Sequence, residues 1–150
     1  MPQNPPAGTQ RIIPYLAYAD APAAIEFICK AFGFEERMRM PMPDGRVGHA
    51  EVGYQDNIVM LASVFSEMGF ASPKDLPAIP SQILCYVDDV DAHCERARGA
   101  GANIAEEPKD QMYGDRTYRV VDPEGHHWHF HTHIRDVSPE EMMAAAENAS

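Results

Sequence analysis

The stretch YGDRTYRVVDPEGHHWHFHTHI, residues 113–134, decides the fold that the sequence predicts. It contains two strands joined by a tight turn at DPEG, residues 122–125, where proline presets φ and glycine takes the last position. The second strand alternates with a period of two, so successive side chains point to opposite faces. Apolar side chains occupy one face and histidines the other: Trp128, Phe130 and Ile134 against His127, His129, His131 and His133.

The two faces of this strand need different neighbours. The aromatic face predicts a covering helix, because a half-buried strand must pack its apolar side against another element. The histidine face predicts water, a ligand or a metal, because buried ring nitrogens need hydrogen-bond partners.

The elements around this stretch occur twice along the chain. Residues 11–65 predict the order strand, helix and three strands, and residues 81–136 predict the same order again. Serine and three prolines between them, at 66–80, indicate a linker. Residues 1–10 predict a disordered arm. A capping box, SPEE, predicts a helix within residues 137–150.

The predicted start and the predicted stop of the helix recur in the second half at nearly the same distance along the chain. Asp20 and Asp89 are the predicted N-caps, and Gly33 and Gly101 are the predicted stops. Two copies at so long a period indicate a duplicated module. The predicted fold class is therefore α+β, with two tandem βαβββ modules that form a curved sheet around a cleft.

Composition limits the classes of partner. The formal charge of −11 disfavours nucleic acid, and no apolar run is long enough to span a membrane. Cys29, Cys85 and Cys94 form no C-x-x-C pair and, together with an N-terminus unlike a signal peptide, favour a cytoplasmic, reducing location.

Four motifs resemble those of a known family. They are YGDR at 113–116, DPEGH at 122–126 with Trp128, GHAE at 48–51, and DVSPEE at 136–141. Over residues 11–142 the chain resembles the vicinal oxygen chelate superfamily of glyoxalases, bleomycin-resistance proteins and dioxygenases, and within it the PhnB-like branch. The resemblance implies the glyoxalase/bleomycin-resistance fold and a homodimer, with the methionines of the last helix as a candidate contact.

The resemblance also implies four metal-ligand positions, one from the first and one from the last strand of each module. They fall on Ile13, Met60, Gln82 and His129. Isoleucine cannot bind a metal, and a thioether is a poor ligand for hard or borderline ions. Gln82 and His129 remain as ligands.

The residues themselves leave two interpretations of the histidine face open. A His-x-His pair on a strand can chelate zinc when a neighbouring strand supplies a third ligand. His49, Glu51 and Gln82 are possible third ligands. The alternative metal set is Gln82, His127 and His129, with a divalent Zn, Ni, Mn or Fe ion. Otherwise the face lines a cleft that binds a small organic molecule. The candidate ligand-binding residues are His49, Glu51, Gln82, Arg116, His127, His129 and His131.

Three side chains have both a functional and a structural interpretation. His49 and Glu51 could act as a base with its orienting carboxylate, or as a satisfied pair that faces the cleft. Arg116 could bind a substrate carboxylate, or pair with Asp115 or Asp122 to hold the turn. His93, in the middle of a helix among charged residues, is expected to be solvated.

Two functions follow. The first is a small-molecule-binding protein without a metal, which the missing ligands at Ile13 and Met60 favour. The second is a metal-dependent lyase, isomerase or dioxygenase with a rearranged ligand set, which the row of histidines favours. In both, His129 is the residue most expected to contact the ligand.

Overall fold

The first half of the chain forms a four-stranded mixed sheet with one helix. Its elements are β1 (Tyr15–Tyr18), α1 (Ala21–Phe32), β2 (Glu35–Pro41), β3 (Val47–Tyr54) and β4 (Asn57–Ser63). The strand order is β1-β4-β3-β2, with β1 parallel to β4 and the other pairs antiparallel.

The second half repeats this arrangement. Its elements are β5 (Ile83–Tyr86), α2 (Val90–Gly99), β6 (Asn103–Asp110), β7 (Asp115–Val121) and β8 (His127–His133). The order β5-β8-β7-β6 matches that of the first sheet, again with one parallel pair. A third helix, α3 (Pro139–Ala149), follows. The predicted fold class, α+β with two tandem βαβββ modules, is confirmed.

This computed structural model describes residues 2–149, so Met1 of the predicted arm and Ser150 of the predicted last helix lie outside the described residues. The chain divides into two units. One runs up to Pro80 and includes the turn Pro123–His126, and the other comprises Ser81–Asp122 and the residues from His127 onward. Within the described residues, none of the helices combines the length and apolar character needed to cross a membrane.

Helices α1 and α2 begin where the sequence predicts. The Asp20 carboxylate accepts a hydrogen bond from the Ala23 amide at 3.1 Å, and the Asp89 carboxylate accepts one from Ala92 at 3.1 Å. These bonds satisfy amides of the first turn that have no partner inside the helix. Gly33 ends α1 in the left-handed region, at φ 78°.

The core of the second sheet confirms the predicted register of β8. Trp128 and Phe130 are fully buried, and Tyr118 and Val120 of β7 are buried beside them. The indole N–H of Trp128 donates to Asp122 at 3.1 Å. Ile134 departs from the prediction. It lies past the end of β8, where its amide binds the Gly114 carbonyl, and it is 46% exposed.

His93 also departs from the prediction of a solvated side chain. It lies on the side of α2 that packs against β7 and β8. Its Nδ1 is hydrogen-bonded to the Tyr118 hydroxyl at 2.6 Å, and its ring contacts Phe130 with centroids 4.3 Å apart. The charged neighbours of His93 along the helix point elsewhere, because residues adjacent in sequence do not share a helix face.

Two edge strands, β1 and β6, have limits that differ from the predicted ones, and each difference involves a proline. β1 begins only after Pro14, later than the predicted start at residue 11. β6 runs to Asp110, beyond the predicted end at 107, and passes through Pro108. It can do so because β6 is an edge strand and its pairing with β7 is irregular between Glu106 and Lys109.

The turn Pro123–His126 has its contacts inside the first unit. The Glu124 carboxylate is buried and accepts hydrogen bonds from the amides of Ala19 and Asp20, at 2.6 and 2.8 Å. The hydroxyl of Ser72 donates to the same carboxylate at 2.5 Å. Glu124 therefore satisfies backbone donors just before α1, which buried amides require.

Candidate functional site

The second sheet has one side covered by α2 and an opposite side that we call the histidine face. On β8 this face bears His127, His129, His131 and His133, because Trp128 and Phe130 point to the helix. The strand register adds Leu84 and Tyr86 of β5, which lie opposite His129 and His131. It also adds Asp115, Thr117 and Arg119 of β7. Polar and apolar side chains are thus interleaved on one surface.

A buried carboxylate organises one end of the histidine face. Asp115 accepts hydrogen bonds from His131 Nδ1 at 2.8 Å, from His133 Nδ1 at 2.7 Å and from the Tyr86 hydroxyl at 2.8 Å. We call these four residues the Asp115 cluster. Burial raises the pKa of Asp115, but the hydrogen bonds outweigh it and the pKa lies below its ordinary value. The carboxylate is therefore ionised near neutral pH.

The backbone before β7 places this carboxylate. Gly114 adopts φ 99°, and its carbonyl accepts hydrogen bonds from the amides of Ile134 and Arg135 at 2.9 and 3.1 Å. A Cβ at Gly114 would overlap the Arg135 carbonyl oxygen. Glycine in the YGDR motif is thus required for the close approach that aligns Asp115 with His133.

His131 lies inside the cluster and is only 4% exposed. Its Nδ1 is committed to Asp115, while its Nε2 is buried and has no hydrogen-bond partner among the residues that the structure describes. Three rings surround the imidazole. The centroid distances are 4.3 Å to His129, 5.4 Å to Tyr86 and 6.0 Å to Tyr113.

His133 and Tyr86 lie at the exposed side of the cluster. His133 Nε2 is hydrogen-bonded to Asp136 at 2.7 Å, and this bond, followed by the one to Asp115, raises the pKa of His133. The hydrogen bond to Asp115 raises the pKa of Tyr86. Tyr86 therefore remains a hydrogen-bond donor across the physiological range.

His129 is half-buried in the middle of the face. Burial is the main cause that lowers its pKa, and the positive charge of Arg119 lowers it further. The residue opposite on β5 is Leu84, which is 49% exposed, and the residue opposite on β7 is Arg119, which pairs with Glu106 at 3.0 Å. A neutral imidazole beside an exposed apolar side chain can both accept and donate a hydrogen bond.

The other predicted residues of this unit are placed differently. His127 is half-buried at the start of β8, and Gln82 is exposed just before β5. Arg116 lies on the helix side, since it alternates with Asp115 along β7. It pairs with Asp91 of α2 and with Asp110, each at 3.0 Å, and not with Asp115 or Asp122 as the sequence suggested. The structure therefore brings together His127, His129 and His131, but not Arg116.

His49 and Glu51 belong to the first unit and interact with each other there. They lie on the side of β3 opposite the α1-covered core, and His49 Nε2 is 3.0 Å from the Glu51 carboxylate. His49 Nδ1 is hydrogen-bonded to the Tyr15 hydroxyl at 2.7 Å, and Phe70 stacks on the Tyr15 ring. Burial, and then the charge of Glu51, raises the pKa of Tyr15. The three side chains are mutually satisfied.

The residues present do not fit a metal centre of the kind that the resemblance implies. Within residues 2–149, no three His, Cys, Asp or Glu side chains are placed to hold one ion. Leu84, not Gln82, lies opposite His129. Both oxygens of Asp115 already accept hydrogen bonds.

The three thiols are not activated for nucleophilic chemistry. Burial is the main cause that raises the pKa of Cys29, Cys85 and Cys94, and the pKa of Cys85 reaches about 11. A thiol with a raised pKa contains little of the reactive thiolate near neutral pH.

Asp115, Tyr86 and Tyr113 were not predicted from the sequence as candidate site residues, although they surround His131. The sequence did contain a signal for Asp115. In an antiparallel hairpin closed by the DPEG turn, Val121 pairs with His127, and continuing this register along both strands pairs Asp115 with His133. Tyr86 has no such signal. Its position beside His131 depends on the parallel pairing of β5 with β8, which local sequence does not specify.

Comparison with known proteins agrees with this architecture. The sequence profile of the Glyoxalase/Bleomycin resistance protein/Dioxygenase superfamily matches residues 11–130. The chain belongs to this superfamily. It is 39% identical over 135 residues to the uncharacterized protein Mb0911c of Mycobacterium bovis, a match that covers 88% of this chain and 89% of that protein.

Two solved structures are similar to this superfamily member. TioX from Micromonospora sp. ML1 is 31% identical, with a TM-score of 0.66 over 83% of this chain and 99% of TioX. TnmS3, an antibiotic-binding protein from Streptomyces sp. CB03234, is 23% identical, with a TM-score of 0.60 over 82% of this chain and 96% of TnmS3. The likeness to TnmS3 shows the shared fold alone.

Proposed function

We propose that the chain binds a small organic molecule on the histidine face of its second sheet, with His129 as the central contact. The observation that supports this proposal is that exposed side chains with apolar surface lie next to polar ring nitrogens on the same face of the sheet. Leu84 and Tyr86 are 49% and 55% exposed, and they lie directly opposite His129 and His131. Small-molecule sites combine apolar walls with a few placed polar groups in this way.

The proposed binding does not need a metal. His129 can offer a hydrogen bond directly from a neutral imidazole, and its cross-strand neighbours, Leu84 and Arg119, are not metal ligands. TnmS3 gives this idea a fold-level analogy, since that protein is an antibiotic-binding protein. The YGDR and VSPEE motifs support placing the chain in the PhnB-like branch of the superfamily.

A variant at His129 tests the proposal. Small aromatic compounds would be screened by ligand-observed NMR in buffer containing EDTA, and the hits titrated into the wild type and His129→Ala. We expect a loss of roughly 2- to 12-fold in affinity, since one hydrogen bond contributes about 0.5–1.5 kcal/mol. Lys74→Ala, an exposed change in the other unit, is the control. Hits whose affinity is unchanged by His129→Ala, or that bind only without EDTA, would contradict the proposal.

One observation favours a second candidate, a divalent-metal-dependent lyase, isomerase or dioxygenase. In metal proteins a ligating histidine usually donates its other ring N–H to a carboxylate. His131 makes this kind of bond to Asp115, and the imidazole of His129 adjoins it. Calorimetric titration of the tag-free protein with Zn²⁺ or Ni²⁺ separates the candidates. Stoichiometric binding that His129→Ala abolishes would favour the second.

We also propose that the chain forms a homodimer. Large apolar side chains remain exposed in both units, among them Met38 and Met40 of β2 and Met143 of α3, which is 67% exposed. Apolar surface of this kind is commonly buried between copies related by a twofold axis. Light scattering at micromolar concentration should give twice the mass of the chain, and a monomer would exclude the proposal.

A further inference from the structure

The buried nitrogen of His131 indicates what kind of molecule the proposed site selects. His131 Nε2 is the one buried side-chain nitrogen or oxygen that lacks a hydrogen-bond partner among the described residues. Buried polar atoms of native proteins almost always have a partner, so an exception of this kind needs an explanation.

The tautomer of His131 follows from its bond to Asp115. The Asp115 carboxylate accepts hydrogen bonds and cannot donate one, so His131 Nδ1 must bear the proton. Nε2 then presents its lone pair. In the neutral ring, this tautomer leaves Nε2 without a proton. The free atom is therefore a hydrogen-bond acceptor.

The imidazole is also fixed in orientation. Asp115 also accepts hydrogen bonds from Tyr86, on the same oxygen as His131, and from His133 on the other oxygen, so it cannot turn to follow a rotated His131 ring. A flip of the ring would direct a carbon at the carboxylate and lose the bond at 2.8 Å. A fixed acceptor offers a ligand a hydrogen bond with little loss of side-chain entropy.

The side chains around His131 are aromatic, so a molecule that reaches the buried Nε2 contacts ring surfaces. The Tyr113 ring stacks on His131 with an interplanar angle of 28°, while Tyr86 is tilted against it and His129 meets it edge-on. Rings of this kind bind planar unsaturated groups by stacking and edge contacts.

We propose that His131 Nε2 accepts a hydrogen bond from the bound molecule, so that the site selects planar organic molecules bearing a hydroxyl or N–H group. This inference rests on the proposed binding function. A molecule of the same shape without a donor would leave Nε2 unsatisfied, and polar sites reject such analogues more strongly than apolar sites do.

Phenol and anisole form a matched pair of probes, since they share the ring and differ in the donor. Each would be titrated into ¹⁵N-labelled protein in metal-free buffer, with detection of the histidine ring nitrogens. We expect the His131 Nε2 signal to be that of an unprotonated nitrogen and to shift with phenol but not with anisole. Phenol should bind about tenfold more tightly.

The variant His131→Asn sharpens the test. Its amide can still donate to Asp115, but it has no atom at the Nε2 position. We expect the preference for phenol over anisole to disappear in His131→Asn and to persist in His93→Asn, which removes an imidazole from the helix side. Because the wild-type nitrogen signals are a separate readout, a variant that fails to fold does not remove the test.

Other outcomes overturn the inference. A His131 protonated at Nε2, or equal affinity for both probes, contradicts it. If both probes bind equally at the histidine face, the proposed binding function stands while the selection for donors fails. If neither perturbs that face at millimolar concentration, both proposals fail for this ligand class.

Discussion

The two sheets share strand order and register, yet their open faces carry different chemistry. In the first sheet, Met60 lies opposite Tyr15 and Glu51. His129 occupies the corresponding position of the second sheet, where it lies opposite Leu84 and Arg119. The backbone is therefore repeated while the surface is not.

The difference is greatest where the second sheet has its buried polar cluster. By the same correspondence, Asp115 and His131 take the places of Val47 and Ala62, which are buried apolar residues. One scaffold thus tolerates either an apolar contact or a hydrogen-bonded carboxylate–imidazole pair at the same two positions. The βαβββ fold therefore positions a site but does not create it, since the site depends on a few side chains.

The largest loss of stability is expected at the buried position where the side chains of the two sheets differ most in size. Trp128 corresponds to Val59, and both are buried. Trp128→Ala should lower the free energy of unfolding by about 4 kcal/mol, because it opens a large cavity and leaves Asp122 without its indole partner. Val59→Ala should cost about 2 kcal/mol. Urea denaturation measures both, and a larger loss for Val59→Ala would show that the correspondence of the two cores is wrong.

The second-largest loss of stability is expected when residues of the Asp115 cluster are replaced by the corresponding residues of the first sheet. Asp115→Val alone should cost about 3 kcal/mol, because it strands His131 in the interior. Adding His131→Ala removes the stranded group, and the double variant should be about 1 kcal/mol more stable than the single one. Equilibrium unfolding of both variants is the measurement. A double variant less stable than the single one would mean that the cluster is not a coupled unit.

The hairpin turns of the two sheets also differ. The first sheet turns between Tyr54 and Asn57, whereas the second uses the longer DPEGH segment with its buried Glu124. Glu124→Gln keeps one acceptor oxygen and should lose about 2 kcal/mol of stability, since the three donors can no longer all be satisfied. Thermal unfolding would detect the loss. A melting temperature equal to that of the wild type would exclude this role for Glu124.

The smallest expected effect is on the pH dependence of the free energy of unfolding. The hydrogen bonds of His133 to Asp136 and Asp115 raise its pKa above the ordinary value of 6.5. A histidine whose folded pKa is raised stabilises the fold fully below the unfolded pKa, and this contribution is lost as pH rises through the folded pKa. The corresponding residue of the first sheet is Val64, so His133→Val is the matched variant. Its stability deficit should shrink as pH rises from below 6.5, and a deficit that grows would contradict the assignment.

Sequence predicted the fold well because local patterns determine it. The period of two in β8 was enough to assign Trp128 and Phe130 to the core, and the Asp20 and Asp89 caps were enough to start both helices. The predicted strand limits failed at Pro14 and Pro108, where the outcome depends on which strand lies at an edge.

The site was predicted less completely, because it depends on contacts between elements. His129 and His131 share a face as the alternation required. The carboxylate bound to His131 and the tyrosine beside it come from two other strands. Arg116 was assigned to the site from its motif, but its partner Asp91 lies on α2 and is visible only after folding.

Mapping where a small molecule binds tests most directly whether the histidine face is the binding surface. Backbone amide shifts would be followed while phenol is titrated into metal-free ¹⁵N-labelled protein. We expect saturable shifts at Leu84, Tyr86, His129 and His131, with Tyr15, His49 and Glu51 unaffected. Shifts confined to the first sheet, or shifts that require added Zn²⁺, would contradict the claim that the histidine face is the binding surface.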